Sequence, residues 1–130
     1  MGGDNAPEIV INGAELIKQR SPNIDLLFVG DETQIHRLLA HKKYLANAEI
    51  LHAVDAVSAD DTASQAVRRG KTTSMWLAIA EVADGRADAI VSAGNTGALM
   101  AMSKLQFRTM PGVTRPAIAG LLPSEKDIVC

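Results

Sequence analysis

The sequence predicts an α/β protein whose sheet is mostly parallel. Short apolar runs alternate with amphipathic stretches of helical length, which is typical of βαβ units. Hydrophobic residues make up 47% of the 130 residues, enough for a substantial core, while aromatic residues make up only 3%. The core must therefore consist mainly of Ala, Val, Ile, Leu and Met, which suits helices that pack on a parallel sheet. No internal repeat or linker-like stretch divides the chain.

The first predicted helix follows a glycine-rich turn. Pro7 suits the first position of a helix, and Asp4 and Asn5 precede it as capping candidates. Apolar residues then recur at helical spacing. The helix is predicted to bury the face formed by Ile9, Val10, Gly13, Leu16 and Ile17.

A strand, a helix and a second strand are predicted next. Residues 24–29 are mostly apolar and end at Gly30, which predicts a buried strand. Asp31 is placed to cap a helix whose buried face is Ile35, Leu38 and Leu39. Residues 49–53 predict a short strand, so the order fits one parallel crossover.

Two helices are predicted in the middle of the chain. A polar stretch over residues 55–62 leads into a short helix that ends at Gly70. Ser74 is predicted to cap a second helix that runs through Ala83 and is closed by Gly85.

The remaining sequence repeats the alternation of strand and helix. Residues 87–91 are the most convincing predicted strand, and helix returns over residues 97–106 after an intervening loop. Pro111 and Gly112 break the chain before a predicted strand at residues 117–121.

Charge and aromatic content argue against a nucleic-acid partner. The net charge is −2, and with one Trp, one Tyr and two Phe the chain offers few stacking platforms. Residues 1–65 carry 5 Lys/Arg and 10 Asp/Glu, whereas residues 66–130 carry 8 and 5. A mildly basic second half suits an anionic substrate, although ordinary scatter explains it equally well.

The expected location is the cytoplasm. Cys130 is the only cysteine, so no internal disulfide can form and a reducing compartment fits. No run of 18 apolar residues exists, and the N-terminus does not show a basic segment followed by an apolar stretch. Neither a membrane span nor secretion is therefore expected.

The loop over residues 92–97 is the strongest candidate for chemistry. It lies between a predicted buried strand and a predicted helix, where ligands bind in open α/β sheets. The start of a helix presents free N–H groups and favours an anion. Gly94 and Gly97 allow close approach of the backbone, while Ser92, Asn95 and Thr96 offer side-chain donors. A tight turn before a capped helix remains an open alternative.

A second loop of the same kind opens the chain, and two nucleotide motifs fail. Gly2 and Gly3 permit positive φ, and Asp4 can cap a helix or orient a neighbour. Gly70 and the two residues after it suggest a P-loop, but position 65 holds Gln instead of Gly. The GxGxxG dinucleotide fingerprint is also absent.

No metal site is expected. His36, His41 and His52 share no ligand spacing with one another or with a cysteine. Adjacent acids at Asp60 and Asp61 more often begin a helix than hold a metal ion.

Three motifs occur in a fixed order along the chain, namely MGGD followed by Ala6 and Pro7, then VGD at residues 29–31, then SAGNTGALM at residues 92–100. Together they resemble the PlsX-type phosphate acyltransferases of bacterial phospholipid synthesis. Further segments also resemble that family, namely Asp60-Asp61, Arg68-Arg69, Lys71, Ser74-Met75 and Arg115-Pro116-Ala117. The resemblance covers essentially the whole chain, and SAGNTGALM is highly specific.

The resemblance implies a fold, a reaction and partners. The fold is a Rossmann-like three-layer α/β/α arrangement, similar to the isocitrate dehydrogenase and phosphotransacetylase type. The reaction transfers a fatty acyl group from acyl carrier protein to inorganic phosphate and forms acyl phosphate. A cytoplasmic homodimer without metal or organic cofactor is implied. Peripheral association with the inner face of the membrane or with a membrane acyltransferase is also implied.

This reaction agrees with the residues present. Phosphate is itself the nucleophile and a thiolate of pKa about 8.5 leaves, so positioning and oxyanion stabilisation remain for the protein. Asn95 is the predicted catalytic donor. The predicted substrate- and phosphate-binding residues are Gly2, Gly3, Asp4, Lys71, Ser92, Gly94, Thr96, Gly97 and Arg115. For Lys71 and Arg115, solvated surface positions are an equally good interpretation.

Two departures from the family pattern affect these expectations. The strand that should lead into the MGGD turn is missing, and the chain stops well under halfway through the usual family length. We therefore expect residues 1–130 to be the incomplete N-terminal part of a single α/β acyltransferase domain. One alternative is a phosphotransacetylase-type enzyme that uses acyl-coenzyme A. Another is a non-catalytic fragment that binds acyl carrier protein or a partner subunit.

Overall fold

The structure, a computed structural model, describes residues 2–120, 122–124 and 127–129. The α-helices in these ranges are α1 Glu8–Arg20, α2 Glu32–Leu39, α3 Ala63–Arg69, α4 Ser74–Ala83 and α5 Thr96–Phe107. The strands are β1 Leu27–Gly30, β2 Glu49–His52, β3 Leu122–Ser124 and β4 Asp127–Val129. Short 3-10 helices span Lys43–Leu45 and Gly70–Thr72. Predictions that concern Met1, Leu121 or Cys130 fall outside the described residues.

The strands form two separate pairs. β1 and β2 are parallel, with Leu27 opposite Glu49 and Gly30 opposite His52. β3 and β4 form an antiparallel hairpin. The α/β class with a parallel sheet is thereby confirmed, while the finer three-layer, Rossmann-like arrangement stays a prediction.

The helix that connects the parallel pair begins where the sequence predicts. The Asp31 carboxylate accepts a hydrogen bond of 3.1 Å from the Gln34 backbone N–H, which caps α2. This bond, with a second from the Gln34 side chain, holds the pKa of Asp31 below its usual range. Ile35 is buried at 3% exposure, and Leu38 and Leu39 pack beside it, so the predicted buried face of α2 is confirmed.

Two apolar clusters hold the helices in place. The first cluster joins Ile11 of α1, Ile35 of α2 and Leu45, with Phe28 and Ile50 of the parallel strands packed against it. The second cluster lies beneath the loops of the candidate site and contains Val57, Ala66, Met75, Ile79, Ala98 and Met102. Helices α3, α4 and α5 meet in this second cluster, so it fixes the relative positions of their first turns.

The structure corrects two predictions about α1. Pro7 occupies the N-cap position itself, and no side chain of the described residues caps the helix there. The predicted buried face is exposed, with Ile9 at 55% and Leu16 at 53%, whereas Ile11 is buried at 2%. The reason is that α1 contacts α2 and the 3-10 helix at Lys43–Leu45 through the side that carries Ile11.

Other predicted boundaries also shift. The N-cap of α4 is Thr73 and not Ser74, since the Thr73 hydroxyl accepts a hydrogen bond from the Trp76 N–H at 3.3 Å. The first strand begins at Leu27, three residues later than predicted. Helices α3 and α5 are confirmed to within one residue of their predicted ends at Gly70 and Gln106.

Two predicted strands are not formed. Residues 87–91 pair with no strand among the described residues, and Val91 is 96% exposed. Residues 117–120 likewise have no strand conformation. A strand exists only where a neighbour supplies hydrogen bonds, and neither segment has such a neighbour in the described ranges.

Candidate functional site

Two glycine-containing loops that are far apart in sequence lie against each other. Gly2 and Gly3 have φ values of +136° and +95°, which confirms the predicted positive φ of this turn. A Cβ added to Gly3 would lie 2.4 Å from the Ala93 carbonyl oxygen, and one added to Gly2 would lie 3.6 Å from the Gly94 Cα. The structure therefore brings the turn at residues 2–4 onto the loop at residues 92–97.

The loop at residues 92–97 ends in the first turn of α5. The Ser92 hydroxyl accepts a hydrogen bond of 3.2 Å from the Gly94 N–H. The Asn95 side-chain oxygen caps the helix by accepting a bond of 2.9 Å from the Ala98 N–H. Thr96 and Gly97 are the first residues of α5, so their N–H groups have no acceptor in the preceding turn. Both groups suit an anion.

The Asn95 amide nitrogen is already engaged by the protein. It lies 2.7 Å from the Asp61 carbonyl oxygen and 3.3 Å from the carbonyl oxygens of Ser58 and Ala59. An amide has only two N–H donors, and these three oxygens compete for them. Asn95 thus ties the loop at residues 58–61 to the start of α5, and its direct action on a reacting oxygen stays a prediction.

The loop at residues 58–61 is itself held by Asp61. The Asp61 carboxylate accepts a bond of 2.8 Å from the Ser58 N–H and forms an ion pair with Arg69 of α3. Thr62 then begins α3 with a capping box, in which Thr62 and Gln65 each bond to the other's backbone N–H. This loop was not among the predicted site residues.

The first turn of α4 contacts the candidate site and also the segment that precedes the loop at residues 58–61. The Met75 side chain is buried, and its Cε lies 3.5 Å from the position of a Cβ on Gly94. The Ser74 N–H donates to the Asp55 carbonyl oxygen at 2.9 Å, which ties the segment before the 58–61 loop to α4. The turn at residues 2–4 and the first turn of α4 therefore both lie against Gly94, and the buried cluster of α3, α4 and α5 supports this contact.

Three predicted phosphate-binding residues lie outside these contacts. Asp4 is exposed in the opening turn, Lys71 is exposed in the 3-10 helix after α3, and Arg115 is exposed in a bend. Within the described residues, Lys71 and Arg115 have no hydrogen bond or ion pair. The charges of both side chains are therefore unpaired in that part of the chain.

Sequence reasoning missed Asp61 and Arg69 as parts of the site. The pattern Thr62-x-x-Gln65 marks a helix start, so the sequence could have located the loop that precedes α3. The contact across 34 residues between Asn95 and Asp61 has no local signal. Only the packing of α3 on α5 brings these residues together.

The rest of the described surface has an open cleft but no cluster of metal ligands. In the described ranges, no three His, Cys, Asp or Glu side chains cluster as metal ligands would. An open cleft of about 590 Å³ lies at the far end of α2, between His36, Lys43 and Ile50, away from the glycine loops. No helix in the described part of the chain is both long and apolar enough to cross a bilayer.

Comparison with known proteins adds independent information. The family model of the fatty acid synthesis proteins matches residues 1–130. A phosphate acyltransferase of Parvibaculum lavamentivorans is 54% identical over 128 residues, covering 97% of this chain and 36% of the relative. A phosphate acyltransferase of Erythrobacter litoralis is 51% identical over 132 residues, covering 99% of this chain and 37% of the relative.

A third relative agrees with these two. A phosphate acyltransferase of Rhodospirillum rubrum is 51% identical over 125 residues, covering 95% of this chain and 36% of the relative. The chain therefore spans a little over a third of the length of the curated relatives it matches. Because the family model matches the entire sequence, the chain belongs to the family of fatty acid synthesis proteins.

Proposed function

We propose that this chain supplies the phosphate-binding loops of an enzyme that transfers a fatty acyl group from acyl carrier protein to inorganic phosphate. The relatives at 51–54% identity carry the name phosphate acyltransferase, which supports acyl transfer to phosphate. The family is one of fatty acid synthesis, which supports a fatty acyl donor. The observation that carries the proposal is the meeting of two glycine turns at the start of α5.

The geometry suits phosphate for a physical reason. The Thr96 and Gly97 N–H groups stand at the positive end of the α5 dipole, where a dianion is stabilised. The positive φ values of Gly2 and Gly3 let their backbone come close to Ala93 and Gly94. A phosphate held there would meet backbone N–H groups and small residues, so a thioester could approach it without steric obstruction.

The proposed step needs no nucleophile from the protein. A phosphate oxygen attacks the thioester carbonyl carbon, a C–O bond forms, and the C–S bond breaks as the thiolate leaves. The carbonyl oxygen gains negative charge in the transition state, and one preorganised donor aimed at it is worth about 2.7–4 kcal/mol. Neither a metal ion nor an organic cofactor is required for this chemistry.

Asn95 is proposed as that donor, under one condition. Its N–H groups face the carbonyl oxygens of residues 58–61, so Asn95 can reach a reacting oxygen only by releasing one of them. It is sufficient that one Asn95 N–H group leaves its carbonyl acceptor and donates to the reacting oxygen instead. Lys71 and Arg115 are proposed as contacts to phosphate or to acyl carrier protein, since their charges are exposed and unpaired within the described residues.

The wider setting of the reaction is also a proposal. A homodimer in the cytoplasm would act at the inner face of the membrane and pass acyl phosphate to a membrane acyltransferase. The three-layer, phosphotransacetylase-like fold would be completed by further strands beside β1 and β2.

A chimaera tests the function. The chain replaces the matching segment of the Parvibaculum lavamentivorans relative, and acyl phosphate is measured from phosphate with acyl carrier protein or coenzyme A as the thioester carrier. We expect turnover with long-chain acyl carrier protein. Turnover with acyl-coenzyme A alone would favour the phosphotransacetylase alternative. A folded chimaera without turnover, beside an active parent, would leave the chain as a binding module.

A further inference from the structure

We propose that Arg69 is a positioning residue of the candidate site, which acts through Asp61 on the loop that holds Asn95. The inference rests on the proposed function and adds a residue to it. Arg69 lies in the last turn of α3 and forms an ion pair with the Asp61 carboxylate. Its side chain is 45% exposed, whereas that of Asp61 is only 17% exposed. The Asp61 carboxylate therefore lies within the loop at residues 58–61, and the Arg69 guanidinium contacts it from the solvent side.

The connection from Arg69 to Asn95 runs through a single residue. The Asp61 carboxylate binds Arg69 and also accepts from the Ser58 N–H at 2.8 Å. The Asp61 backbone carbonyl accepts from the Asn95 amide at 2.7 Å, the shortest of that amide's three contacts. Arg69 therefore fixes the carboxylate, the carboxylate fixes the loop, and the loop fixes the direction of the Asn95 amide.

This arrangement affects the transition state more than the binding of either substrate, because the proposed Asn95 donor acts on the carbonyl oxygen as it gains charge. The loop at residues 58–61 touches the candidate site through Asn95, next to the Thr96 and Gly97 N–H groups. Displacement of a positioning group by about 1 Å can cost about 10²-fold in rate. A loosened loop should therefore lower kcat, whereas the KM values for phosphate and for the acyl donor should stay about the same.

The chain offers a matched control next to Arg69. Arg68 has the same charge, lies in the same helix, is exposed, and has no ion pair within the described residues. In the chimaera with the Parvibaculum lavamentivorans relative, Arg69→Ala should lower kcat/KM for phosphate by about 10–100-fold. Arg68→Ala should change it less than twofold. Arg69→Lys should recover most of the loss, because its ammonium can reach the same carboxylate.

A second measurement does not depend on turnover. Hydrogen–deuterium exchange of the peptide covering residues 58–62 should quicken in Arg69→Ala, because the Ser58 N–H loses its fixed acceptor. Exchange in Arg68→Ala should match the unsubstituted chimaera. An inactive unsubstituted chimaera would count against the proposed function, and the exchange data would then decide the role of Arg69 alone.

Two outcomes would overturn the positioning role. One is equal exchange at residues 58–62 in Arg69→Ala and Arg68→Ala. The other is a fall in kcat in Arg69→Ala that Arg69→Lys does not recover, accompanied by faster exchange throughout the chimaera. That pattern would describe general loss of folded enzyme.

Discussion

Gly3 stands at the closest approach between the two glycine loops. Its φ of +95° is unfavourable for any residue with a Cβ, and that Cβ would also meet the Ala93 carbonyl oxygen at 2.4 Å. Both penalties fall on the same residue. A single methyl group at this position would therefore push residues 2–4 away from residues 92–97.

We expect Gly3→Ala to separate these penalties when compared with Gly112→Ala. Gly112 has a similar φ of +84°, but a Cβ there would meet nothing within 4 Å. Gly112→Ala should cost about 1–2 kcal/mol of unfolding free energy from backbone strain alone. Gly3→Ala should cost about 1–3 kcal/mol more, from the steric clash. Urea unfolding of both variants measures the difference, and equal costs would show that the two loops are not in contact.

Asn95 illustrates how a single side chain can have two roles. Its oxygen caps α5 through Ala98, and its nitrogen holds the loop at residues 58–61. Asn95→Ala should lose the cap, about 1 kcal/mol, and also about 10²–10³ in turnover of the chimaera. Asn95→Asp keeps an oxygen for the Ala98 N–H but has no N–H to donate. It should keep the cap and lose the turnover. Near-normal turnover in Asn95→Asp would leave Asn95 as a helix cap only.

At the scale of single residues, the sequence predicted the site in part. The positive φ of Gly2 and Gly3 follows from local backbone sterics, and so the sequence was sufficient. The partners of the Asn95 amide come from a loop more than 30 residues away, which no local pattern encodes. Asp61 and Arg69 were missed for the same reason.

At the scale of elements, the positions of helices along the sequence were predicted more accurately than the faces that they bury. The spacing of apolar residues in α1 correctly predicted a helix, but its wider apolar stripe at Ile9, Leu16 and Ile17 is exposed. Ile11 is buried instead, because α2 and Leu45 lie on its side. Periodicity reports which residues share a face, whereas the neighbour that covers a face is set by tertiary contacts.

Two of the predicted strands did not form, for a related reason. The run at residues 87–91 is apolar enough for a strand, yet Val91 is 96% exposed and no described strand lies beside it. β1 and β2 formed because each supplies the hydrogen bonds of the other. Strand pairing depends on two segments, so the sequence of one segment does not predict it.

The capping box of α3 should stabilise the start of that helix. Thr62→Ala removes an acceptor for the Gln65 N–H and should lower the unfolding free energy by about 1 kcal/mol. Thr33→Ala is the control, since Thr33 is exposed in α2 and caps nothing. Thermal unfolding of both variants measures the effect. A Thr62→Ala variant as stable as Thr33→Ala would show that the α3 start is held by other contacts.

At the scale of the whole molecule, the described residues form two apolar clusters with little sheet between them. The cluster around Ile11 rests on the parallel strands, and the cluster around Met102 supports the candidate site. The α/β class was predictable, because it depends only on the alternation of elements. The number of paired strands was not, because it depends on which segments find partners.

One side of α1 is left uncovered by the rest of the described chain. Ile9, Leu16 and Ile17 are between 45% and 55% exposed and lie on one side of a helix of 13 residues. Exposed apolar side chains that share one side of a helix favour contact with another apolar surface. We expect the 130-residue chain, expressed alone, to self-associate through this face at micromolar concentrations.

Substitution on that face should release the association without unfolding the chain. Each buried Ile or Leu contributes about 1.5–3 kcal/mol, so Ile9→Gln with Leu16→Gln should weaken self-association at least about tenfold. Val54→Gln is the matched control, because Val54 is apolar and 83% exposed but lies outside α1. Sedimentation velocity over a range of concentrations compares the three proteins. A chain that is monomeric throughout would refute the prediction. An equal effect of Val54→Gln would mean that association does not depend on α1.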